Sequence, residues 1–570
     1  MPQRTAENQT VGDAYLALLA DRGIDYLFAN SGTDFAPLIE GFVKAAKDGR
    51  KTPTPVTVPH ENVAVCMAMG YYIVSGKPQA VMVHVSVGTG NAINGLLNAS
   101  RGQIPILMTA GRTPLTESGL HGTRDIDIHW PQEMFDQGAM VREMVKWDYE
   151  LRNGNQVETV VDRALNIAMS EPRGPVYLTM PREVLASEMP AHDFDASGNR
   201  NAAFPPGPDA NAIDQVASLI AGAENPLIIA QSGGRDHDAV AALGKVAERF
   251  AIPVIQYRPR WMSLPNSHPM HLGFEPDPFL EEADVVLVID AQVPWLPDQT
   301  GPRAGAKIIH MAPDPLYENL PIRAFPCDIA ITTTATAGLV ALDTALGEHE
   351  NGAKDRIEKR RGALAERRAA QREHLRSVLE RSRSQTPISP AWLTHCISEI
   401  KDDDAIVVNE ARMPVPFMPV ELPGTYINAG HAGGLGWGLG TAIGAKMAAG
   451  DRLVIATEGD GAYMFSNPVP AHYVAHEQNA PILTVIYNNR RWSAVREAAV
   501  GLYPDGHVSQ SNAPPLINFD PALKLAKTID VVDGYGEQVT DPDQVMPALE
   551  RAVRVVTEEK RQAVLDVVCA

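Results

Sequence analysis

The sequence predicts an α/β protein with three doubly wound domains, each built on a parallel sheet. Short β-branched runs alternate with longer amphipathic stretches along most of the 570 residues, a pattern typical of strand–helix units. The chain is also too long for a single hydrophobic core. A segment at 190–212 rich in Pro, Gly, Asp and Asn, and a charged, proline-free segment at 347–384, divide it into blocks.

The first predicted domain covers residues 1–190. Thr10 is a suitable cap for a helix over residues 11–22. Apolar, β-branched runs predict strands at 25–29, 56–58, 80–85 and 104–110. The segment at 190–212 is interpreted as a linker to the next domain.

The second predicted domain covers residues 212–346, with strands expected at 226–230, 252–257, 284–290 and 307–311. The turn 231–235 could accept a phosphate, with Arg235 as a charged contact, or it could be a plain strand–turn–helix connection. Residues 347–384 predict an exposed linker helix with solvated charges.

The third predicted domain covers residues 385–570, with strands at 405–408, 453–457 and 481–487. Its pattern of strand, Gly-containing loop, helix and a strand beginning Pro-Ile-Leu also occurs in the first domain. This repetition favours two domains of similar topology.

Composition excludes several classes of function. The net charge of −20 argues against a nucleic-acid binder or a polybasic membrane-surface protein. No apolar run approaches the roughly 18–20 residues that span a bilayer, and the polar N-terminus lacks a signal-peptide pattern. The four cysteines form no CxxC pair, so a cytoplasmic protein is expected.

A metal and phosphate site is predicted where two strands of the third domain end. Gly459-Asp460-Gly461 ends one apolar strand, and Asn488-Asn489 ends another after 26 intervening residues. Neighbouring parallel strands place such ends at one edge, where ligands bind. Asp460, Asn489 and the Arg491 carbonyl would offer the oxygen ligands that Mg²⁺ prefers, and Gly461 would let backbone approach a phosphate. The alternative is two ordinary turns.

These motifs resemble those of the thiamine diphosphate (ThDP) enzymes, in which GDG, a similar spacer and NN mark the cofactor site. The resemblance implies Mg²⁺ ligation by Asp460, Asn489 and the Arg491 carbonyl. It also implies backbone contacts from Gly459, Gly461 and Ala462 to the diphosphate.

The same resemblance assigns residues to the aminopyrimidine ring of the cofactor. The segment VPHENVAVCMAMGYY implies that Glu61 protonates this ring, although a glutamate there could instead complement a helix dipole. His60-Glu61 is not a zinc motif, because HExxH would require a histidine at Ala64. The Gly-rich segment from His431 implies that the Gly433 carbonyl accepts from the exocyclic amine and that Leu435 forces the bent cofactor shape.

The resemblance covers nearly the whole chain and points to the group of acetolactate synthase, benzoylformate decarboxylase and 2-hydroxyacyl-CoA lyase. Similarity to benzoylformate decarboxylase places Thr33 at a substrate-binding serine and His84 at an active-site histidine. The second histidine of that enzyme has no counterpart here, where Trp295 or Gln299 would fill the space. Gln132-Glu133 is closer to acetolactate synthase.

The function that these resemblances imply is decarboxylation or carboligation of a 2-oxo acid through a carbanion (enamine) at C2 of ThDP, with Mg²⁺ as second cofactor. The small-molecule substrate could equally be an acyl compound. The alternatives are acetolactate synthase-type acyl transfer, a 2-hydroxyacyl-CoA lyase, or an inactive nucleotide-binding paralogue. In the resembled family Glu61 and Asp460 would come from two subunits, which implies a homodimer or homotetramer. No bound flavin is expected.

Overall fold

The computed structural model describes residues 4–5, 9–189, 193–194, 202–428 and 432–570. Residues 190–192 and 195–201 of the predicted linker, as well as His431, lie outside these residues. The described residues form three parallel sheets, each flanked by helices, and two two-residue antiparallel ladders near the first domain. The predicted α/β class with three parallel-sheet domains is confirmed.

The N-terminal sheet has six parallel strands in the order β2-β1-β3-β4-β6-β5. The strands are β1 Tyr26–Asn30, β2 Thr54–Thr57, β3 Gln79–Val83, β4 Ile106–Arg112, β5 Asp148–Glu150 and β6 Val176–Pro181. The helices are α1 Val11–Asp21, α2 Ala36–Lys47, α3 Glu61–Ser75, α4 Val85–Arg101, α5 Val157–Met169 and α6 Arg182–Ala186. Thr10 caps α1 in a capping box with Asp13, as a threonine before an amphipathic run predicts.

The middle sheet has five parallel strands in the order β8-β7-β9-β10-β11. The strands are β7 Pro226–Ala230, β8 Val254–Ile255, β9 Val285–Ile289, β10 Lys307–Ala312 and β11 Ile329–Thr332. The helices are α7 Ala210–Gly222, α8 His237–Phe250, α9 Phe279–Glu282 and α10 Ala335–Ser382.

The C-terminal sheet has six parallel strands in the order β13-β12-β14-β15-β17-β16. The strands are β12 Ile406–Glu410, β13 Tyr426–Asn428, β14 Val454–Gly459, β15 Leu483–Asn488, β16 Tyr535–Val539 and β17 Ala563–Val568. The helices are α11 Pro390–Ile400, α12 Gly438–Ala449, α13 Asp460–Phe465, α14 Pro468–Glu477, α15 Ser493–Leu502, α16 His507–Gln510 and α17 Val545–Thr557. The first and last sheets share one strand order, as the repeated sequence pattern indicated.

Two local predictions are wrong. The Gly-containing loop that the strand–loop–helix pattern predicts in the first domain, at residues 88–90, is instead part of α4, where the Thr89 hydroxyl donates to the Val85 carbonyl. A Cβ at Gly88 would lie 3.0 Å from Val83 Cβ, so Gly88 serves close packing of a helix on a strand rather than a turn.

The charged segment at 347–384 is also more than an exposed linker, because it continues the 48-residue helix α10. Leu346, Ala353, Ile357 and Leu364 are buried at helical spacing against the middle-domain core. The buried Arg360 donates to the carbonyls of Ala223 and Phe250. Charge density concealed the apolar stripe in the sequence.

The first and third domains meet through α3 and α12, whose residues share one hydrophobic cluster. A Cβ on Gly70 would lie 1.9 Å from the Thr441 carbonyl oxygen, and one on Gly444 would lie 1.9 Å from that of Met67. Small residues therefore allow the two helix backbones to touch. Among the described helices, none has the length and apolar character to cross a membrane.

Candidate functional site

Asp460 lies at the carboxyl edge of the C-terminal sheet, where β14 and β15 run side by side. It begins α13, is 4% exposed, and its Oδ1 accepts from the Gly461 N–H at 2.8 Å. Its Oδ2 is buried without a hydrogen-bond partner among the described residues. Burial raises the pKa of Asp460, although backbone N–H groups of residues 490 and 491 oppose that rise. A buried, under-satisfied carboxylate oxygen is suited to a hard cation.

The two asparagines after this edge have different roles. Asn488 ends β15, and its side chain is committed to Asp566 at 2.7 Å and to the Arg490 N–H at 3.0 Å. Asn489 follows the strand, accepts from the Arg491 N–H at 3.1 Å and donates to Ser493 at 2.8 Å. The side-chain oxygen of Asn489 keeps a second lone pair that a ligand can use. Asp460, the side chain of Asn489 and the Arg491 carbonyl therefore fit the donor set predicted for Mg²⁺. No group of three or more His, Cys, Asp or Glu side chains suited to a metal occurs in the described part of the chain.

Gly461 is needed here for a reason that the sequence did not reveal. A Cβ at this position would lie 2.0 Å from the indole ring of Trp492, which also packs edge-on against Phe465 and Phe519. Gly459 has open space around the position of a Cβ, and Ala462 is buried. Trp492 therefore covers the turn that was predicted to face a phosphate.

The Gly-rich segment forms a loop, residues 432–437, held by side chains of the first domain. The carbonyls of Gly434, Leu435 and Gly436 accept from Asn98 at 2.7 Å, Asn94 at 2.9 Å and Asn62 at 3.1 Å, respectively. Gly433 has φ +68°, a conformation that favours glycine, and Leu435 is partly exposed. Three amides thus fix the loop that was predicted to contact a pyrimidine.

Glu61 lies at the same junction between the domains. It is the first residue of α3, is 6% exposed, and its Oε2 accepts from Asn91 Nδ2 at 3.1 Å. The next residue, Asn62, holds the Gly436 carbonyl. A single chain therefore brings Glu61 and the Gly-rich loop together, whereas the resemblance assigns Glu61 and Asp460 to two subunits.

A pair of buried carboxyl groups beneath this loop was not predicted as a site. Glu410 and Glu458 are register partners on β12 and β14. Glu410 accepts from the N–H groups of Gly436 at 2.7 Å and Gly438 at 2.6 Å. Burial raises the pKa of Glu410 to about 8, and burial together with Glu410 raises that of Glu458 well above its ordinary value. Burial therefore favours a proton shared by the two carboxyl groups, and Glu410 anchors the loop.

His84 lies at the carboxyl edge of the N-terminal sheet, one residue beyond the end of β3, at the N-cap position of α4. Its Nδ1 is 2.5 Å from Oδ1 of Asp34, which is 3% exposed. The hydrogen bond to Asp34 raises the pKa of His84 above its ordinary value, with a further contribution from Glu61. Thr33 is exposed, and its carbonyl accepts from Arg182 at 3.5 Å. Asp34 was not predicted as a site residue, although it directly follows Thr33 in the sequence.

The carboxyl edge of the middle sheet is closed. Arg235 donates from Nη2 to both oxygens of Glu171 in the first domain, at 3.0 and 3.1 Å, rather than facing an open phosphate position. Asp290 and Arg260 are buried beside it, and burial lowers the pKa of Arg260 to about 10. The cavity that remains has a volume of about 10 Å³.

Two residues proposed to replace the missing histidine differ in environment. Trp295 is 2% exposed in the middle-domain core, edge-on to Phe325, so it does not line the site. Gln299 is exposed. Of the acetolactate synthase-like pair, the Gln132 carbonyl accepts from Ser86 on α4, and Glu133 bonds to Arg112, Thr113 and Arg124.

A larger cleft of about 1360 Å³ separates the middle domain from the C-terminal domain. It extends from the chain after β8, along α10, to the residues between β12 and β13. Its basic lining residues include Arg258, Arg368, Arg372 and Arg412. Arg412 is paired with Glu497 of α15, and Arg368 donates to the carbonyls of residues 266 and 267.

Comparisons with known proteins match all three domains. The models of the thiamine pyrophosphate enzyme N-terminal TPP binding domain, central domain and C-terminal TPP binding domain match residues 9–140, 213–342 and 411–567. The chain is 26% identical to the acetolactate synthase large subunit IlvG of Mycobacterium tuberculosis, over 97% of this chain and 95% of that one. It is 27% identical to benzoylformate decarboxylase of Pseudomonas aeruginosa, over 86% and 87%.

The fold agrees with solved structures. Benzoylformate decarboxylase from Polynucleobacter necessarius superposes with a TM-score of 0.78 over 99% of both chains, at 21% identity. A ThDP-dependent 4-hydroxybenzoylformate decarboxylase from Rhodococcus jostii RHA1 superposes with a TM-score of 0.76, over 98% of this chain and 99% of that one, at 22% identity. With all three domains matched in order and the cofactor motifs in place, the chain belongs to the family of thiamine diphosphate-dependent enzymes.

Proposed function

We propose that this enzyme is a ThDP- and Mg²⁺-dependent decarboxylase or carboligase of 2-oxo acids. The observation that carries the proposal is the junction where one chain combines Glu61, the amide-bound Gly-rich loop and the histidine His84 near Glu61. Relatives named benzoylformate decarboxylase and acetolactate synthase support this reaction class. Both names describe chemistry next to a carbonyl carbon.

When bound, ThDP supplies a carbon nucleophile and a sink for the electrons released by decarboxylation. Asp460, Asn489 and the Arg491 carbonyl would hold Mg²⁺, with backbone of Gly459, Gly461 and Ala462 beside the diphosphate. Glu61 would hold a proton against the aminopyrimidine ring, the Gly433 carbonyl would accept from its amine, and Leu435 would pack against the cofactor.

His84 is the proposed proton donor or acceptor for the substrate. Its ring is partly exposed, and the hydrogen bond to Asp34 raises its pKa, with a smaller contribution from the Glu61 carboxylate. A histidine with a pKa near neutrality can hold a carboxylate and then exchange a proton. Thr33, exposed on the turn beside Asp34, is the proposed substrate contact.

The functional assembly is proposed to be a homodimer or homotetramer with the active sites at the subunit interface, where a second copy would border the junction that one chain forms. Val87, Leu435 and Phe465 are 51%, 36% and 53% exposed near the site in the single chain, and a second copy would cover such apolar surface. Light scattering should show a dimer or larger species. A fully active monomer would contradict the assembly.

The proposed activity is tested with purified enzyme, ThDP, Mg²⁺ and a panel of aliphatic and aromatic 2-oxo acids. Released carbon dioxide and acyloin products are both measured. We expect slow decarboxylation of several acids with competing carboligation. Absence of both products from every acid, in enzyme that binds ThDP by calorimetry, would contradict the proposal.

A second candidate is cleavage of a 2-hydroxyacyl-CoA ester. The specific observation in its favour is the 1360 Å³ cleft with Arg258, Arg368, Arg372 and Arg412 in its lining, because arginines bind phosphates. Incubation with a 2-hydroxyacyl-CoA and detection of the aldehyde product decides between the two. A preference for the CoA ester over every 2-oxo acid would favour this second function.

A further inference from the structure

The pairing of His84 with Asp34 joins residues 50 positions apart. Asp34 follows β1 in a 3-10 turn, and His84 follows β3, the strand next to β1 in the sheet. Parallel neighbours thus deliver both side chains to one carboxyl edge. The ring nitrogen and the carboxylate oxygen are 2.5 Å apart, and Oδ2 also accepts from the Val85 N–H at 3.4 Å.

Two glycines leave space for this pair. A Cβ at Gly32 would lie 2.1 Å from His84 Nδ1, and a Cβ at Gly111 on β4 would lie 1.6 Å from Asp34 Oδ2. Any other residue at either position would displace the pair. The pocket around the imidazole and carboxylate is therefore built from three adjacent strand ends.

The two nitrogens of the His84 ring have different surroundings. Nδ1 is bound to Asp34, whereas Nε2 has no hydrogen-bond partner among the residues that the structure describes. Because a carboxylate accepts, Asp34 selects the tautomer with hydrogen on Nδ1 and leaves Nε2 as the atom that gains or loses a proton.

We propose that Asp34 is a positioning residue, which orients His84 and keeps its Nε2 available for proton exchange with the substrate. The inference rests on the proposed role of His84 in 2-oxo acid chemistry. Asp34 itself is buried and acts through the ring rather than on substrate.

The other titratable groups facing His84 are few. Glu61 at the start of α3 favours the charged imidazole, as Asp34 does. His129 lies in the turn Asp127–His129. Burial and Arg182 lower its pKa most, and the charge of His84 lowers it further. Removing the Asp34 charge should therefore lower the pKa of His84 while Glu61 keeps part of the effect.

The test uses full-length Asp34→Asn and the double variant Asp34→Asn/His84→Ala. We expect the His84 pKa, followed by NMR of its ring C–H groups, to fall in Asp34→Asn. We expect kcat to fall roughly 10- to 100-fold, below the ~10²–10⁴-fold cost of removing a general acid–base group altogether. ThDP affinity by calorimetry should not change. In the His84→Ala background, Asp34→Asn should have no further effect on kcat.

Asp13→Asn is the matched control, since Asp13 is equally buried in the same domain but binds Lys44 and Thr10 instead. It should leave the His84 titration unchanged. Asp34→Ser provides the same readouts if asparagine disturbs folding, which circular dichroism detects. An unchanged His84 pKa, or an added loss in the His84→Ala background, would overturn the inference. The NMR titration needs no turnover, so it stands even if the 2-oxo acid panel fails.

Discussion

The carboxyl edges of the middle and C-terminal sheets share the geometry that favours ligands but differ in what occupies them. At the C-terminal edge, Asp460 keeps an unpartnered buried oxygen and the adjacent Gly-rich loop presents carbonyls to the first domain. At the middle edge, Arg235 is bound to Glu171 of another domain and only about 10 Å³ remains. Sheet topology creates both crevices, but side chains decide which one stays available.

The difference shows two uses of buried charge. Arg235 and Glu171 satisfy each other, so their contribution is to hold two domains together. Asp460 is satisfied only in part, which is costly in the free chain and is offset when a cation binds. The buried carboxylate oxygen of Asp460, which has no partner among the described residues, therefore marks the C-terminal edge as the candidate cation site.

The largest expected effect comes from removing the proposed metal ligand at the edge of the C-terminal sheet. Asp460→Ala should abolish Mg²⁺-dependent ThDP binding, because it removes the only anionic ligand proposed for the metal. Calorimetric titration with ThDP and Mg²⁺ measures this. Asp451→Ala, an exposed aspartate of the same domain, is the control and should bind normally. Unchanged affinity in Asp460→Ala would contradict the site.

A second substitution separates binding from activation. Glu61→Gln should bind ThDP nearly normally but exchange the C2 proton of the cofactor about 10²–10⁴-fold more slowly, the range for loss of a general acid–base group. Glutamine cannot supply a proton to the aminopyrimidine ring. NMR in deuterated water follows the exchange, and a wild-type rate would refute the role of Glu61.

Breaking the ion pair at the closed middle edge should lower the stability of the protein rather than its affinity for ThDP. Arg235→Met removes one of the two arginines that contact Glu171, because Arg173 also pairs with it at 3.0 Å, so the free energy of unfolding should fall by about 1–3 kcal/mol. ThDP affinity should remain unchanged. Urea denaturation provides the measurement. Arg376→Met, which breaks an exposed pair with Glu373, should cost less than about 1 kcal/mol. Equal losses of unfolding free energy in the two variants would show that the Arg235–Glu171 pair does not stabilise the contact between the domains.

A smaller effect is expected at the edge of the N-terminal sheet. Asp34 raises the folded-state pKa of His84 above its ordinary 6.5, so this pair stabilises the fold fully below pH 6.5. The stabilisation is lost as pH rises through the folded-state pKa. The stability difference between wild type and Asp34→Asn should therefore be largest in acid and shrink above neutrality. Urea denaturation at a series of pH values checks the sign.

The smallest effect is expected from adding nucleotides, which should not bind at the middle edge. Because side chains fill the middle edge, FAD and ADP should leave the midpoint of thermal unfolding unchanged. The purified protein should lack flavin absorbance. A rise in the midpoint with either nucleotide, or a yellow protein, would show that this edge opens. ThDP with Mg²⁺ provides the positive control, since it should raise the midpoint.

Much of the site could be predicted because its signals are local in sequence. A strand that ends in Gly459-Asp460-Gly461 places Asp460 at a sheet edge wherever the strand lies, and the same holds for Asn488-Asn489. Glu61 at a helix start after a strand is equally local. Alternation of strands and helices predicted three parallel sheets for the same reason.

Contacts between distant residues could not be predicted. The pairing of Asp34 with His84 depends on β1 lying beside β3, and that of Glu410 with Glu458 depends on the register of β12 and β14. Residues 88–90 looked like a loop because glycine serves both turns and close packing. The charges of α10 hid an apolar stripe that becomes visible only against the middle domain.

The sequence by itself determined the family, the three parallel-sheet domains and the end-of-strand positions of Asp460 and Asn489, because backbone periodicity and turn residues act over a few neighbours. Only the tertiary structure decided that Asp34 binds His84, that Trp492 covers Gly461 and that Glu171 closes the middle edge. Those outcomes depend on how sheets and domains pack, which brings together side chains that no local pattern relates.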